Sequence, residues 1–203
     1  MRLFAILLFL FVIQFCQAQF PSELWHEGKV VLLTGDTLKG AIKYDLNRDI
    51  IQLNDARTIE AYTARKVLYF NIFDETINNY RQFYALPYNV TPDYKTPIFF
   101  EVLLEGVLTL LAREFITIQT TSYGPTAMSG SFSRRVLAYK YYFLNDLGNI
   151  VEYKKSKKEL LDYMRHYDNE IKDFVKRNRL KYDEKQDLIY IVEYYNSLID
   201  PKR

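Results

Sequence analysis

One cysteine, one tryptophan, two histidines and seven glycines in 203 residues leave few of the usual materials for a reactive site. Cys16 is the only thiol, so the chain can close no internal disulfide, form no C-x-x-C redox pair and build no multi-cysteine zinc site. His26 and His166 are far apart in the sequence and lack a recognisable third ligand, which favours structural roles over a metal centre. The scattered glycines spell no phosphate-cradling loop, and no serine occupies a Gly-x-Ser-x-Gly elbow. Charge of one sign is also lacking: 27 basic against 25 acidic residues argue against a nucleic-acid binder, whose footprint is strongly basic.

What is present begins at the N-terminus. Arg2 precedes an apolar run over residues 3–15, interrupted only by Gln14, and Cys16-Gln17-Ala18 follows. A positive start, a short apolar stretch and small residues form the pattern of a secretory signal peptide over residues 1–18, with cleavage expected near Ala18-Gln19. The run is shorter than the roughly 20 apolar residues that a membrane helix needs, so no transmembrane helix is expected after cleavage. Lipid anchoring at Cys16 is the disfavoured alternative, because bulky Phe15 stands where a lipobox has a small residue. The mature chain, residues 19–203, is then periplasmic or secreted, free of cysteine, and held by its own core.

Aromatic residues are abundant. All 18 tyrosines follow the leader, as do ten of the 14 phenylalanines. Tyrosine suits half-buried strands, where the ring packs and the hydroxyl reaches water or a partner. From Leu24 to about Ser156 the chain reads as short strands and tight turns. Lys29-Val30-Val31-Leu32-Leu33 stops at Thr34-Gly35-Asp36-Thr37. Leu38, Gly40, Ile42 and Tyr44 then alternate on one face, and Ile50-Ile51-Gln52-Leu53 returns after a turn at Leu46-Asn47-Arg48. Thr63-Ala64-Arg65-Lys66 reads as a turn into Val67-Leu68-Tyr69-Phe70, with residues 80–84 as a partner strand. Pro87, Pro92 and Pro97 bracket an expected extended loop. Phe99-Phe100-Glu101-Val102-Leu103-Leu104 and Val107-Leu108-Thr109-Leu110-Leu111 flank Glu105-Gly106 and form the strongest hairpin signal, with both faces covered. A helix through Gly106 is its alternative. Residues of about 117–135, rich in Ser, Thr and Gly, are expected to form a mobile loop. Two further strands, over residues 138–144 and 150–153, complete the β-rich body.

After Ser156 the apolar period lengthens. Ser156-Lys157-Lys158-Glu159 spells a capping box ahead of Leu160, Leu161 and Met164. Asp168 opens a second helix bearing Ile171, Phe174 and Val175. Asp183-Glu184-Lys185-Gln186 starts a third, bearing Leu188, Ile191, Val192, Tyr195 and Leu198, which Pro201 ends. The expected fold class is therefore α+β within a single domain. It has an antiparallel β-meander over residues 19–156, curled into a sandwich or open barrel, followed by three C-terminal α-helices in residues 157–203.

Chemical motifs are weak. Asp45-Leu46-Asn47-Arg48-Asp49 begins like a calcium loop, but Ile50 replaces the required glycine and Ala56 the terminal glutamate, so a hairpin turn is expected there. Glu101 and Glu105 are spaced for a carboxylate pair of the glycosidase kind, although exposed sheet carboxylates explain them better. No catalytic residue, cofactor site or metal site is assigned, and an enzyme is not the favoured reading. Charge is uneven: residues 19–133 carry 10 basic and 13 acidic groups, and residues 134–203 carry 16 and 12. Lys154, Lys155, Lys157 and Lys158 stand at a helix N-terminus, where positive charge is unfavourable, and so suggest contact with an anionic partner. Lys176, Arg177, Arg179 and Lys181 lie near a helix C-terminus, where the dipole accounts for them.

Gly28-Lys29-Val30-Val31-Leu32, Gly35-Asp36-Thr37-Leu38-Lys39-Gly40 and residues 63–70 and 99–111 resemble a group of small exported β-rich proteins of unknown function from Bacteroidota-type bacteria. The resemblance covers about half of the chain. It implies a cell-envelope setting, a β-meander whose glycines mark hairpins and a helical C-terminal region, and carries no activity. The expected function is non-catalytic binding or scaffolding in the envelope, through a tyrosine-rich surface or an exposed strand edge. The expected partner is another envelope protein or an anionic envelope component, and no nucleic acid. The competing class is a small-ligand carrier or hydrolase with a pocket between sheet and helices.

Overall fold

Among the described residues, ten antiparallel strands are laid down before the first α-helix begins. They are β1 (His26–Leu32), β2 (Thr37–Asp45), β3 (Ile50–Asn54), β4 (Ile59–Thr63), β5 (Val67–Asp74), β6 (Asn79–Thr91), β7 (Tyr94–Leu104), β8 (Thr109–Ser122), β9 (Ser131–Leu144) and β10 (Ile150–Tyr153). Three helices follow: α1 (Lys157–Tyr163), α2 (Asp168–Asn178) and α3 (Lys185–Ile199). The computed structural model describes residues 20–91, 93–122 and 131–200. The expected leader with Cys16, the middle of the expected loop, and Pro92 and Pro201 lie outside the described residues. No described helix is long and apolar enough to cross a membrane.

The strands form one open sheet in the order β10-β9-β8-β7-β6-β5-β1-β2-β3-β4. Successive strands lie side by side except β4 and β5: β4 ends the order, and β5 pairs with β1 instead. This is the expected α+β class with an open antiparallel sheet and three C-terminal helices. Its register follows the alternating apolar pattern, since period-two residues share a face. Val30 stands opposite both Leu38 and Phe70, Tyr44 opposite Ile51, and Phe70 opposite Phe83. Gly28 and Gly40 face one another across β1 and β2, and a Cβ on either would strike the backbone carbonyl of Asn71 or Asn54.

Two cores share the same sheet face. Val30, Ile42, Ile51, Phe70, Ile72, Phe83 and Phe99 fill the first, inside the curl of strands β1–β7. Leu110, Ala112, Tyr141 and Phe143 begin the second, which the helices cover with Leu160, Met164, Ile171, Leu188, Ile191 and Val192. Each of these six side chains is fully buried, a contribution of about 1.5–3 kcal/mol apiece. Seven-residue α1 could not persist by propensity alone, so packing on the sheet holds it. The glycine hairpin expected around Glu105-Gly106 joins β7 to β8, and Phe99, Phe100, Leu110 and Leu111 are fully buried on its two faces.

Three local expectations are corrected. Residues 117–122 and 131–135, read as part of a mobile loop, are the distal halves of β8 and β9, paired without a break from Thr109↔Leu144 to Ser122↔Ser131. Cross-strand partners, rather than burial, order this ribbon. Thr120 and Ser133 hydroxyls meet at 2.8 Å, Arg134 donates to Gln119, and β-branched Thr and Ile favour the extended backbone. The proline-bracketed segment is also strand, with Pro87 opposite Pro97 in the β6–β7 hairpin. Two opposed prolines suit a non-hydrogen-bonded pair whose nitrogens point outward. Among the described residues neither strand has an outer ladder partner there, because β5 pairs with β6 only through Tyr84 and β8 pairs with β7 only from Glu101. Finally, Ser156 makes no side-chain cap on α1, and Glu159 accepts the Lys154 N–H at 2.8 Å instead.

Candidate functional site

Where the sheet curls, five strands each bring one polar side chain to the same interior point. The alternation that buries Ile42, Ile72, Phe83, Phe99 and Ala112 places Tyr44, Asp74, Arg81, Glu101 and Glu114, two positions away, on the same face. All five are at most 5% exposed. Arg81 Nε and Nη2 donate to the two oxygens of Glu101, each at 2.8 Å. Its Nη1 donates to Tyr44 Oη at 2.8 Å and Asp74 Oδ2 at 3.2 Å, and Nη2 also donates to Glu114 Oε2 at 2.7 Å. All five guanidinium N–H groups are thus engaged. Tyr44 in turn donates to Glu114 Oε1 at 2.5 Å, and Thr76 donates to Asp74 through its N–H and hydroxyl. Lys185 of α3 adds a second cation 3.6 Å from Glu101.

Burial opposes charge on Arg81 most strongly, but Glu101, Tyr44 and Glu114 together outweigh it, with Glu101 foremost, and hold the guanidinium charged. Tyr44 is pushed far above the ordinary phenol range, chiefly by burial and further by Glu114. Burial works against the Asp74 carboxylate, yet Thr76 and Arg81 together hold its pKa below the usual carboxylate range. The network therefore ties β2, β5, β6, β7 and β8 across the interior of the curl. Its buried polar atoms are satisfied, and Tyr44 and Glu114 also border an opening.

That opening is a groove of about 470 Å³ between the base of the β8–β9 ribbon and the outer side of β2–β4. Tyr44 and Glu114 line it together with Ile50, Ile116, Leu137 and Glu23. Glu23 also pairs with Arg135 at 2.7 Å, and the Arg135 guanidinium lies over the Phe20 ring, which seats the N-terminal segment against the ribbon.

The groove exists because β7 and β8 part company. They pair only from Glu101↔Ala112 to Leu104↔Leu110, after which β7 stays with β6 and β8 with β9. The β2–β3 turn is wedged into the fork. Asp49, at φ +54°, accepts the Phe99 N–H and Arg113 Nη1, each at 2.8 Å. Arg113 also donates to the carbonyls of Phe99 and Leu46. The segment with calcium-loop spacing is thus a hairpin turn: Asp45 caps the Asn47 and Arg48 N–H groups, and Asp49 takes an arginine. Among the described residues no cluster of His, Cys, Asp or Glu is arranged to hold a metal.

Beyond the fork the ribbon leaves the sheet, with the N-terminal segment held at Arg135. From Thr117 to Thr121 and from Ser131 to Arg135 every residue is exposed, including Ile118 at 70% and Phe132 at 60%. Among the described residues, no strand pairs with the β7 side of β8 past Ala112. Sequence reading missed both this bare edge and the arginine-centred network.

The other sequence candidates are dispersed. Glu101 is bound to Arg81, whereas Glu105 lies exposed in the β7–β8 turn, so the two do not share a site. Lys154, Lys155, Lys157 and Lys158 are all exposed. The Lys155 ammonium sits 5.1 Å over Tyr141, and that of Lys157 sits 5.7 Å over Tyr182. Lys157 and Lys158 border a shallow depression whose other charges include Asp162, Asp168 and Lys172, so its field is of mixed sign. His26 is buried with its Nε2 2.7 Å from the Pro21 carbonyl, and His166 is exposed. No known protein family, curated protein or solved structure matches this chain.

Proposed function

We propose that this chain is a non-catalytic binding or scaffolding protein of the cell envelope, exported after cleavage near Ala18-Gln19, that grips its partner through the β8–β9 ribbon. The observation that carries this reading is the unpaired backbone edge of β8 beyond Ala112, exposed from Thr117 to Thr121. A bare strand edge offers alternating N–H and C=O groups to any extended segment laid beside it. The groove at the ribbon's base extends the contact with apolar walls. The buried network supports the same reading, because it holds the curled sheet in a fixed shape from which the ribbon projects. An anionic envelope component at Lys154, Lys155, Lys157 and Lys158 is the secondary contact in this proposal.

Photo-crosslinking residues placed at Ile118 and Phe132 test it in intact cells, with exposed Leu147 as control. Discrete adducts from positions 118 and 132, and none from 147, are expected. Exported protein that yields no adduct from the ribbon, or the same products from all three positions, would overturn the reading. N-terminal sequencing of the recovered protein tests the export step, with Gln19 expected first.

A further inference from the structure

We infer that the occupant of the bare β8 edge is the same edge of a second copy of this chain, giving a two-fold dimer through a continuous β9-β8-β8-β9 sheet. The inference rests on the ribbon-binding reading above and names its partner. The other bare edges among the described residues are defended in recognised ways: the outer edge of β6 past Tyr84 carries Pro87, and that of β7 before Glu101 carries Lys95 and Pro97. The β4 edge is five residues long and carries Glu60, and β10 is four residues long and is followed by Lys154 and Lys155. The outer edge of β9 carries Arg134, Arg135 and Lys140, so pairing two copies there would crowd like charges.

The β8 edge has none of these devices. Phe115-Ile116-Thr117-Ile118-Gln119-Thr120-Thr121-Ser122 contains no charge, no proline and no glycine, and five of its eight residues are β-branched. Antiparallel self-pairing places this stretch against itself, so in any register within it an uncharged side chain faces an uncharged side chain. Eight residues extend about 26 Å and would form about eight ladder hydrogen bonds, within the 10 ± 5 or so carried by a stable interface. Closing one end of the edge, Arg113 and Asp49 anchor the β2–β3 turn and leave the neutral stretch as the part open to a partner.

Single cysteines read the geometry directly, because Cys16 is the only native thiol. In a Cys16→Ser background that keeps the native N-terminal sequence, single substitutions to cysteine are made in turn at Ile116, Thr117, Ile118, Gln119, Thr120 and Thr121, with Leu147→Cys as control. Light scattering on the purified protein should give twice the monomer mass. Mild oxidation should give a disulfide-linked dimer that peaks at one position or two adjacent ones, since in a two-fold antiparallel pair only residues at the axis face themselves. Ile118→Lys should return the monomer with unchanged circular dichroism and a thermal midpoint that no longer rises with protein concentration. A monomer at every concentration, or equal crosslinking at all positions including 147, overturns the dimer. If the monomer still gives ribbon adducts to another envelope protein in cells, the homotypic pairing fails while the ribbon reading stands. If neither dimer nor adduct forms, both fail.

Discussion

Arg81 and Glu101 meet side-on, Nε to Oε1 and Nη2 to Oε2, both at 2.8 Å, with neither side chain more than 5% exposed. The pair is the centre of a tie that also takes in Asp74, Glu114 and Tyr44, so its loss is felt on five strands. Removing one member of a buried ion pair costs about 3–5 kcal/mol, because the other is left charged and dry. Arg81→Met strands three carboxylates at once and should fall in that range. Glu101→Gln keeps the shape and one acceptor and should cost about 1–3 kcal/mol. Urea denaturation followed by circular dichroism should rank the native chain above Glu101→Gln and Glu101→Gln above Arg81→Met. Equal midpoints would remove the tie from the stability of the fold.

The same network sets a pH window. Asp74 has a folded pKa below its unfolded one, so its contribution is full above the usual carboxylate pKa of about 4 and is lost as pH falls through the lower folded value. Tyr44 is displaced upward by burial, so its contribution is full below the ordinary phenol pKa of about 10 and is lost as pH rises toward the higher folded value. Burial also raises Tyr141, to about 12. Unfolding free energy should therefore be flat between these limits and fall on both sides. Phenolate absorbance should show a late group of tyrosines that ionise together with the loss of circular dichroism. Asp74→Asn should blunt the acid limb specifically, and an unchanged limb would exclude Asp74 as its source.

Much of this fold was legible in the sequence, and the reason is local. Leu38-Gly40-Ile42-Tyr44 states its own alternation, and Leu188, Ile191, Val192 and Tyr195 state their helical stripe. The inward direction of the network was also written there. In Ile42-x-Tyr44, Ile72-x-Asp74, Arg81-x-Phe83, Phe99-x-Glu101 and Ala112-x-Glu114, a polar side chain continues an apolar period of two. What adjacency could not supply is the convergence. Tyr44 and Glu114 are 70 residues apart and five strands apart in the sheet order, and they meet only because the sheet curls. The ribbon was misread for the opposite reason. Polar composition at residues 117–121 and 131–135 correctly signalled exposure, but exposure does not forbid a strand when each of these residues has a partner across the hairpin.

Asp49 predicts how firmly the fork is held open. Its carboxylate takes the Phe99 N–H and two contacts from Arg113, which is only 15% exposed. Asp49→Ala leaves a half-buried guanidinium and a backbone donor unmet and should cost about 2–3 kcal/mol. The residue also sits at φ +54°, which asparagine tolerates better than alanine, so Asp49→Asn should retain part of the loss. Hydrogen exchange should show faster opening at the β2–β3 turn and around Phe99 in Asp49→Ala, with the helices unaffected. Uniform acceleration across the chain would mean that the wedge is no local element.

Asn196 fastens α3 to the β7–β8 hairpin by imitating a strand. Its Oδ1 accepts the Leu108 N–H at 2.9 Å and its Nδ2 donates to the Leu108 carbonyl at 3.0 Å. The carboxamide lies so close to Gly106 that a Cβ there would strike it. Asn196→Ala should cost about 1–3 kcal/mol, since it leaves both Leu108 groups without a protein partner. Gly106→Ala should also destabilise the native chain, because it pushes the carboxamide off its hydrogen bonds. In an Asn196→Ala background the same glycine substitution meets open space and should cost little. The double-mutant cycle should therefore show a coupling of about 0.5–3 kcal/mol. Additive losses would mean that Gly106 is required by the turn itself and not by the helix that docks on it.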